Sequence, residues 1–284
     1  MIAGARLEPG RRYRGLAGVL VTGFCSALAA GLLIVLLGYV IAQGWTAINP
    51  SFLTQLPRPV GVTGGGVANG IVGSVIIVGI ATLMAMPIGI LTGLYLAVYG
   101  RGFAAEFIRF LAEVLSGLPS IAIGLFAYTL FVQPFGHFSG FSAAFAFTVL
   151  MLPLMVRTSE EAIRGVPIAV REGALALGLP DYGGVLHVVL PAARPLIVTG
   201  LLLAIARVTG ETAPLLFTAF GSQFWEANPG APMAELSLQI FTYAISPYDD
   251  WHRQAWGGAL LLIAAVLVLN IGARLALSRG SKRR

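Results

Sequence analysis

Six long apolar runs constrain this chain more than any other feature. They lie near residues 16–43, 70–98, 110–132, 138–156, 196–221 and 256–276. A helix needs about 20 apolar residues to cross the hydrocarbon of a bilayer, and each run meets or approaches that length. Hydrophobic residues make up 57% of the chain and charged residues 11%, against roughly 45–50% and about 25% in soluble domains. In lipid every backbone polar group must be satisfied within the protein, which leaves only helices and closed barrels. Barrel strands are segments of about ten residues with alternating polarity, and these runs are about two to three times too long for that. The expected fold is all-α, a polytopic membrane protein with six transmembrane helices.

The net charge of +6 raises nucleic acid as a partner, and the placement of the charges removes it. Arg6, Arg11, Arg12 and Arg14 precede the first run; Arg101 and Arg109 lie between the second and third. Arg157, Arg164, Arg171 and Arg194 surround the loop after the fourth run, and Arg274, Arg279, Lys282, Arg283 and Arg284 close the chain. Fifteen of the 18 basic residues therefore fall on one side of a six-helix thread, with Arg58 and Arg253 opposite and Arg207 inside a run. This is the positive-inside bias, which places both termini in the cytoplasm and the chain in the cytoplasmic (inner) membrane. Membrane lipid is the expected surrounding, and no nucleic-acid partner is expected.

The first run is about twice the 7–15 residues of a signal-peptide core, so it reads as a retained anchor helix. Cys25, the only cysteine, lies in it, which excludes an internal disulfide. His137, His187 and His252 fall in three separate loops without ligand spacing, so no metal site is expected. The loop 44–69 holds Pro50, Pro57, Pro59 and the run Gly64, Gly65, Gly66. It lacks the Gly-Lys-Ser/Thr that follows in phosphate-binding loops and reads as a flexible connector. The only lysine is Lys282, so this chain is not expected to be an enzyme that hydrolyses ATP. One domain is expected: a tail over 1–15, a six-helix unit over 16–276 with a charged loop at 157–194, and a basic tail over 277–284. Residues 158–178 have helical composition, with Ser159, Glu160 and Glu161 placed as an amino-terminal cap region. The loop 222–253 on the other side carries Trp225, Trp251 and prolines, with two short helices expected.

The charged loop reads Arg171-Glu172-Gly173-Ala174-Leu175-Ala176-Leu177-Gly178, nine residues, then Val188-Val189-Leu190-Pro191. Ala174, Leu177 and Gly178 offer a small close-packing face, and Glu172 can reach basic groups on a partner. Gly178 suits a left-handed helix end, and Pro191 starts the return toward the membrane. The pattern resembles the signature of ATP-binding-cassette importer permeases: Glu-Ala-Ala, three residues, Gly, nine residues, Ile, one residue, Leu-Pro. Every spacing is met, with Gly173 and Val188 as modest departures. The resemblance implies a short coupling helix seated in a cleft of a cytoplasmic ATPase subunit, involving Glu172, Gly173, Ala174, Gly178, Leu190 and Pro191.

Inside the fifth run stands Ala206-Arg207-Val208-Thr209-Gly210-Glu211-Thr212-Ala213-Pro214-Leu215-Leu216. An intramembrane arginine costs about 2.5–3.5 kcal/mol on insertion scales, so Arg207 should face the bundle interior with a partner. Glu211, one turn on, is that expected partner. Arg207 lies about 16 Å into the run counted from Leu196. Pro214 cannot donate to the carbonyl of Gly210, so a kink is expected there. A dianion crossing a low-dielectric slab needs positive charge and donors, and arginine offers a planar fork suited to oxyanions. Glu211 would neutralise Arg207 at rest.

This segment is similar to the phosphate-specific permeases of the PstA type, which carry Arg-x-x-Gly-Glu-Thr-Ala-Pro-Leu-Leu-Phe-Thr-Ala in the same helix. Leu152-Pro153-Leu154-Met155-Val156-Arg157-Thr158, Ser246-Pro247, Trp251 and Ala255-Trp256 extend the likeness, which covers roughly residue 116 onward. It implies the type I importer permease fold and a pathway through Arg157, Arg207, Glu211 and Thr212. It also implies a PstC-like second permease, two PstB-like ATPase subunits that bind ATP and Mg, and a PstS-like external phosphate-binding protein. No cofactor is implied in this chain. The alternatives are a permease for another oxyanion (molybdate, sulfate or a phosphonate) and a secondary transporter, which leaves the coupling pattern unexplained.

Overall fold

The computed structural model describes residues 9–281. Of the tails expected over 1–15 and 277–284, residues 1–8 and 282–284 lie outside the described residues, and the remainder is not tail but the first turns of α1 and the last turns of α11. The elements are α1 (Pro9–Gly44), α2 (Pro50–Thr54), α3 (Ala68–Tyr99), α4 (Phe103–Gly117), α5 (Ser120–Phe135), α6 (Gly140–Arg164), α7 (Ile168–Ala176), α8 (Asp181–Thr209), α9 (Leu215–Thr218), α10 (Leu236–Ala244) and α11 (Asp249–Ser281). Helices α3, α5 and α8 each contain one π-helical turn. Among the described residues there is no β-strand beyond two isolated bridges.

Five helices, α1, α3, α6, α8 and α11, are long and apolar enough to cross a membrane, and α4 with α5 forms a broken sixth. The third run is thus not the single helix expected from its composition: α4 and α5 meet at 103°. Pro119 is the cause, because it disfavours helix at Leu118, whose ψ is 136°. Helix α4 is amphipathic, with Glu106, Arg109 and Glu113 along one stripe and exposed Phe103, Phe107, Phe110 and Val114 along another.

The core lies where α3, α5, α6 and α8 meet. Its buried members are mostly small: Ala81 and Ala85 from α3, Ala127 from α5, Ala143, Ala144 and Ala146 from α6, and Ala204 from α8, with Ile77, Phe147 and Met155 filling the space between. Lipid supplies no hydrophobic drive between helices, so close backbone approach and dispersion contacts hold such a bundle. The α3–α6 seam shows the requirement. A Cβ at Gly89 would lie 2.4 Å from the Met155 Cβ, and one at Gly93 would lie 2.6 Å from the Ser159 Cβ.

Helix α1 barely touches this core. It meets α11 near its carboxyl end, where Tyr39 packs edge-on against Trp256 at 5.2 Å and Gly44 lies against the Trp256 carbonyl. The glycine run after it is tied, not free: Asp250 accepts from the Gly64 N–H at 3.2 Å, and Gln254 donates to the Gly64 carbonyl at 3.1 Å.

Three further expectations are corrected. Ser159, Glu160 and Glu161 do not cap a new helix; they sit inside α6, which runs on to Arg164. The fifth span starts at Asp181 and ends at Thr209, not over 196–221. The segment between α6 and α8 is consequently shorter than the expected 157–194, because the charges at its ends are carried on helices. On the opposite side one short helix, α10, forms where two were expected.

Candidate functional site

The last turn of α8 presents Arg207. Gly210 caps the helix, its N–H reaching back to the Arg207 carbonyl at 3.2 Å, and the Glu211 N–H bonds the Val208 carbonyl at 3.0 Å. The chain then leaves helical geometry until α9. The kink expected from Gly210 and Pro214 is therefore a helix end. Pro214 begins α9 and lies on α5, where a Cβ at Gly124 would come within 2.6 Å of the Pro214 Cα. The Thr218 carbonyl accepts from the Ser139 N–H at 3.0 Å and the Ser142 hydroxyl at 2.9 Å, tying α9 to the start of α6. The break is fixed at both ends.

One face of α8 packs inward through Ile197, Gly200, Ala204 and Val208, all buried. Arg207 is on another face, an exposed stripe with Leu196 and Leu203. The ion pair expected between Arg207 and Glu211 does not form; among the described residues the side chains of Arg207, Glu211 and Thr212 make no hydrogen bond or ion pair. Counted from exposed Arg194, Arg207 is about 20 Å along the helix. Its position in the last turn, beside the carboxyl-terminal carbonyls, favours a cation.

Arg157 lies elsewhere. Gly200 of α8 packs on Thr158, so Arg157 is level with residue 200, about 10 Å down the bundle from Arg207. Its guanidinium is 3.3 Å from Glu113 of α4, and both side chains are mostly exposed. Beside this pair is a cluster the sequence did not announce. Glu160, nearly buried, accepts from Arg109 Nε at 2.9 Å and pairs with the Arg164 guanidinium at 2.9 Å, and both arginines donate to the Leu96 carbonyl. A cleft of about 180 Å³ opens here between α4 and α6. The available signal was the i, i+4 spacing of Glu160 and Arg164.

Residues 165–180 hold α7. Pro167 precedes it, and Gly178 ends it with φ of +81°, the left-handed conformation its glycine was expected to supply. Arg171 bonds Asp181 at 2.8 Å, fixing α7 against the start of α8. Ala174 is not on the outward face: it is buried within the chain, facing Gly184. Glu172, Gly173 and Gly178 are exposed, with Leu175, Leu177 and Tyr182 as apolar neighbours. Leu190 and Pro191 lie one helical stretch into α8, so the return toward the bundle begins at Pro180, before Pro191.

At the other end of the bundle, sequence reading missed Glu235. It is fully buried at the amino-terminal cap of α10 and accepts from Ser74 Oγ at 3.0 Å, the Ser237 N–H at 2.6 Å and the Leu238 N–H at 3.1 Å, with Ser237 Oγ also 2.6 Å away. Burial pushes its carboxyl above the ordinary range, against the pull of these hydrogen bonds. Burial likewise raises the Tyr243 phenol, opposed by its bond from Gln239. A lone acid two residues before a serine, at the start of an apolar stretch, was the legible cue.

Five apolar spans and a broken sixth make this a multi-pass membrane protein. The chain belongs to the family described as binding-protein-dependent transport system inner membrane component, which matches over residues 89–282. It is 45% identical over 236 residues to the phosphate transport system permease protein PstA of Haemophilus influenzae, covering 83% of each chain. Against the protein of that name in Yersinia pestis it is 42% identical over 240 residues, 84% of this chain and 81% of the other. Against PstA 1 of Mycobacterium tuberculosis it is 38% identical over 268 residues, covering 93% and 86%. Its fold is that of a chain in the inward-facing MetNI methionine ABC transporter, with a TM-score of 0.60 at 18% identity over 76% of this chain and 95% of that one.

Proposed function

We propose that this chain is the transmembrane permease subunit of an ATP-binding-cassette importer for inorganic phosphate in the cytoplasmic membrane. The observation that carries this is Arg207: exposed, unpaired, deep in the bundle and beside a free carboxylate and hydroxyl at Glu211 and Thr212. Facing lipid, it would be costly by about 2.5–3.5 kcal/mol. Facing a second, PstC-like permease, it lines half of an aqueous path and offers a fork to an oxyanion. The phosphate permeases among its relatives support the substrate.

Arg207, Glu211 and Thr212 form the upper station of that path, Gly210 and Pro214 hold it in place, and Arg157 lies toward the exit. Glu172, Gly173 and Gly178 contact one of two PstB-like ATPases, which bind ATP and Mg; this chain supplies no hydrolytic group. Ala174 keeps α7 in position against α8, while Leu190 packs toward the ends of α3 and α6 and Pro191 is exposed. A PstS-like protein delivers phosphate from outside.

The test is phosphate uptake by the assembled transporter in proteoliposomes. Arg207→Gln keeps assembly and abolishes uptake, while Arg207→Lys, which keeps the charge without the fork, retains part of it. Normal uptake by Arg207→Gln would refute the reading. Competition of uptake by sulfate or molybdate as strongly as by unlabelled phosphate would replace the substrate.

A further inference from the structure

Helix α7 is seated on one span. It packs closest on residues 181–189, the first turns of α8, and far less on α3 or α6. Three features make the joint. One carboxylate oxygen of Asp181 accepts from Arg171 Nη2 at 2.8 Å and from Nε at 3.3 Å. Ala174 is buried against Gly184, where a Cβ would lie 3.5 Å from the Ala174 Cβ. The turn at Gly178 closes the helix, its N–H on the Leu175 carbonyl at 2.9 Å and the Leu179 N–H on the Ala174 carbonyl at 3.2 Å. The other oxygen of Asp181 is 3.5 Å from the Tyr99 hydroxyl, the limit of a hydrogen bond, so α3 holds the joint weakly. On its other side α7 hangs from α6 by the short connection 165–167. From Asp181, α8 runs as one helix to Thr209, which places Arg207 about 40 Å along it.

We propose that Asp181 is a positioning residue that fastens α7 to α8, so that the two move as one lever. Displacement of the ATPase then enters the bundle through α8 and reaches Arg207 at its far end. The proposal rests on the reading of α7 as the ATPase contact. Ile168, Leu175 and Leu177 of α7 are exposed, whereas Ala174 is buried on Gly184. A push on the exposed residues moves α8 only if α7 does not roll on that seat. The contact of Ala174 with Gly184 joins two small groups by dispersion alone, which resists compression and resists rolling little. Arg171 is one turn before Ala174 on the same side of α7, and its guanidinium is held by two charge-assisted bonds to Asp181. The seat and the ion pair together fix α7 at two points, and two points prevent the roll.

The experiment measures phosphate imported per ATP hydrolysed by the assembled transporter in proteoliposomes, with Cys25 replaced. Asp181→Ala should lower this ratio about two- to fivefold, the modest effect of one partly exposed ion pair. Asp181→Glu, which keeps the charge, should retain most of it. A second arm locks the joint covalently. Cysteines from Ala174→Cys and Gly184→Cys would stand 3.5 Å apart at Cβ, within the about 3.5–4.5 Å of a disulfide. Oxidising that pair should leave the ratio as it was in the reduced protein, and in the chain that also carries Asp181→Ala it should restore the ratio. The same oxidation of the chain without the pair is the control. Import lost on oxidation would mean that α7 must move on α8 and would overturn the proposal. So would an unchanged ratio in Asp181→Ala, even with a lower yield of complex, because the pair would then serve stability alone. Should Asp181→Ala fail to assemble, the oxidised against reduced comparison decides by itself. Leu177→Asp, on the exposed part of α7, is measured alongside. Normal uptake with the ATPase retained there sinks the reading of α7, whereas loss of uptake there with an unchanged ratio in Asp181→Ala sinks only the role of Asp181.

Discussion

Arg207 and Glu160 are both charges set among apolar helices, and the structure treats them in opposite ways. Glu160 is clasped by Arg109 and Arg164, a triad that ties α4 to the end of α6 and to the Leu96 carbonyl. Arg207 is left open. Removing the carboxylate by Glu160→Ala leaves two guanidinium groups without it and should destabilise the detergent-solubilised chain by about 2 kcal/mol, read as an earlier thermal unfolding midpoint. Arg207→Gln should leave that midpoint unchanged, because it breaks no contact within the chain. Glu235 gives a third behaviour. Its folded-state carboxyl is raised, so the native chain binds that proton more tightly than the unfolded chain does. The stabilisation is complete below the ordinary carboxylate range and is lost as pH rises through the raised value. The unfolding midpoint of the wild type should therefore fall with rising pH by more than that of Glu235→Gln.

At the scale of elements, composition identified the apolar runs well and their ends poorly. Hydropathy counts side chains and is blind to where a helix breaks. The run 110–132 hid the turn at Pro119, and 196–221 ran through the helix end at Gly210. Glu160 and Arg164 looked like loop because they are charged, yet pairing with Arg109 lets α6 carry them. The Arg207 segment was legible because a charge in an apolar run stands out; its missing partner was not, because pairing depends on side-chain direction at a break. Glu235 escaped notice for a related reason: its partners Ser74 and Ser237 are commonplace residues until α3 and α10 meet. Two glycines make the element-scale claims testable. Gly93→Ala puts a methyl against the Ser159 Cβ and the Val156 and Glu160 backbone of α6, at a cost of about 1–3 kcal/mol, and should reduce the yield of assembled complex. Gly178→Ala meets no neighbour but must hold φ near +81°, a strain of about 1–2 kcal/mol that loosens the end of α7. Its expected readout is ATP hydrolysis that persists while phosphate uptake drops.

For the molecule as a whole, an even number of crossings puts the chain ends on one side and the segments carrying Thr63 and Ser222 on the other. Single cysteines at Thr63, Ser222 and Ser281, with Cys25 replaced, report this directly: the first two should label from outside intact cells and the third only after permeabilisation. Labelling of Ser281 from outside would reverse the topology. The attachment of α1 carries a consequence for biogenesis. The earliest of the described spans leans on the latest, through Tyr39, Gly44 and Trp256. During synthesis it must wait in the bilayer, undocked, while some two hundred residues follow it from the ribosome. A nascent chain stopped before α11 would expose that unclaimed helix, which gives membrane quality control a simple mark of an unfinished subunit.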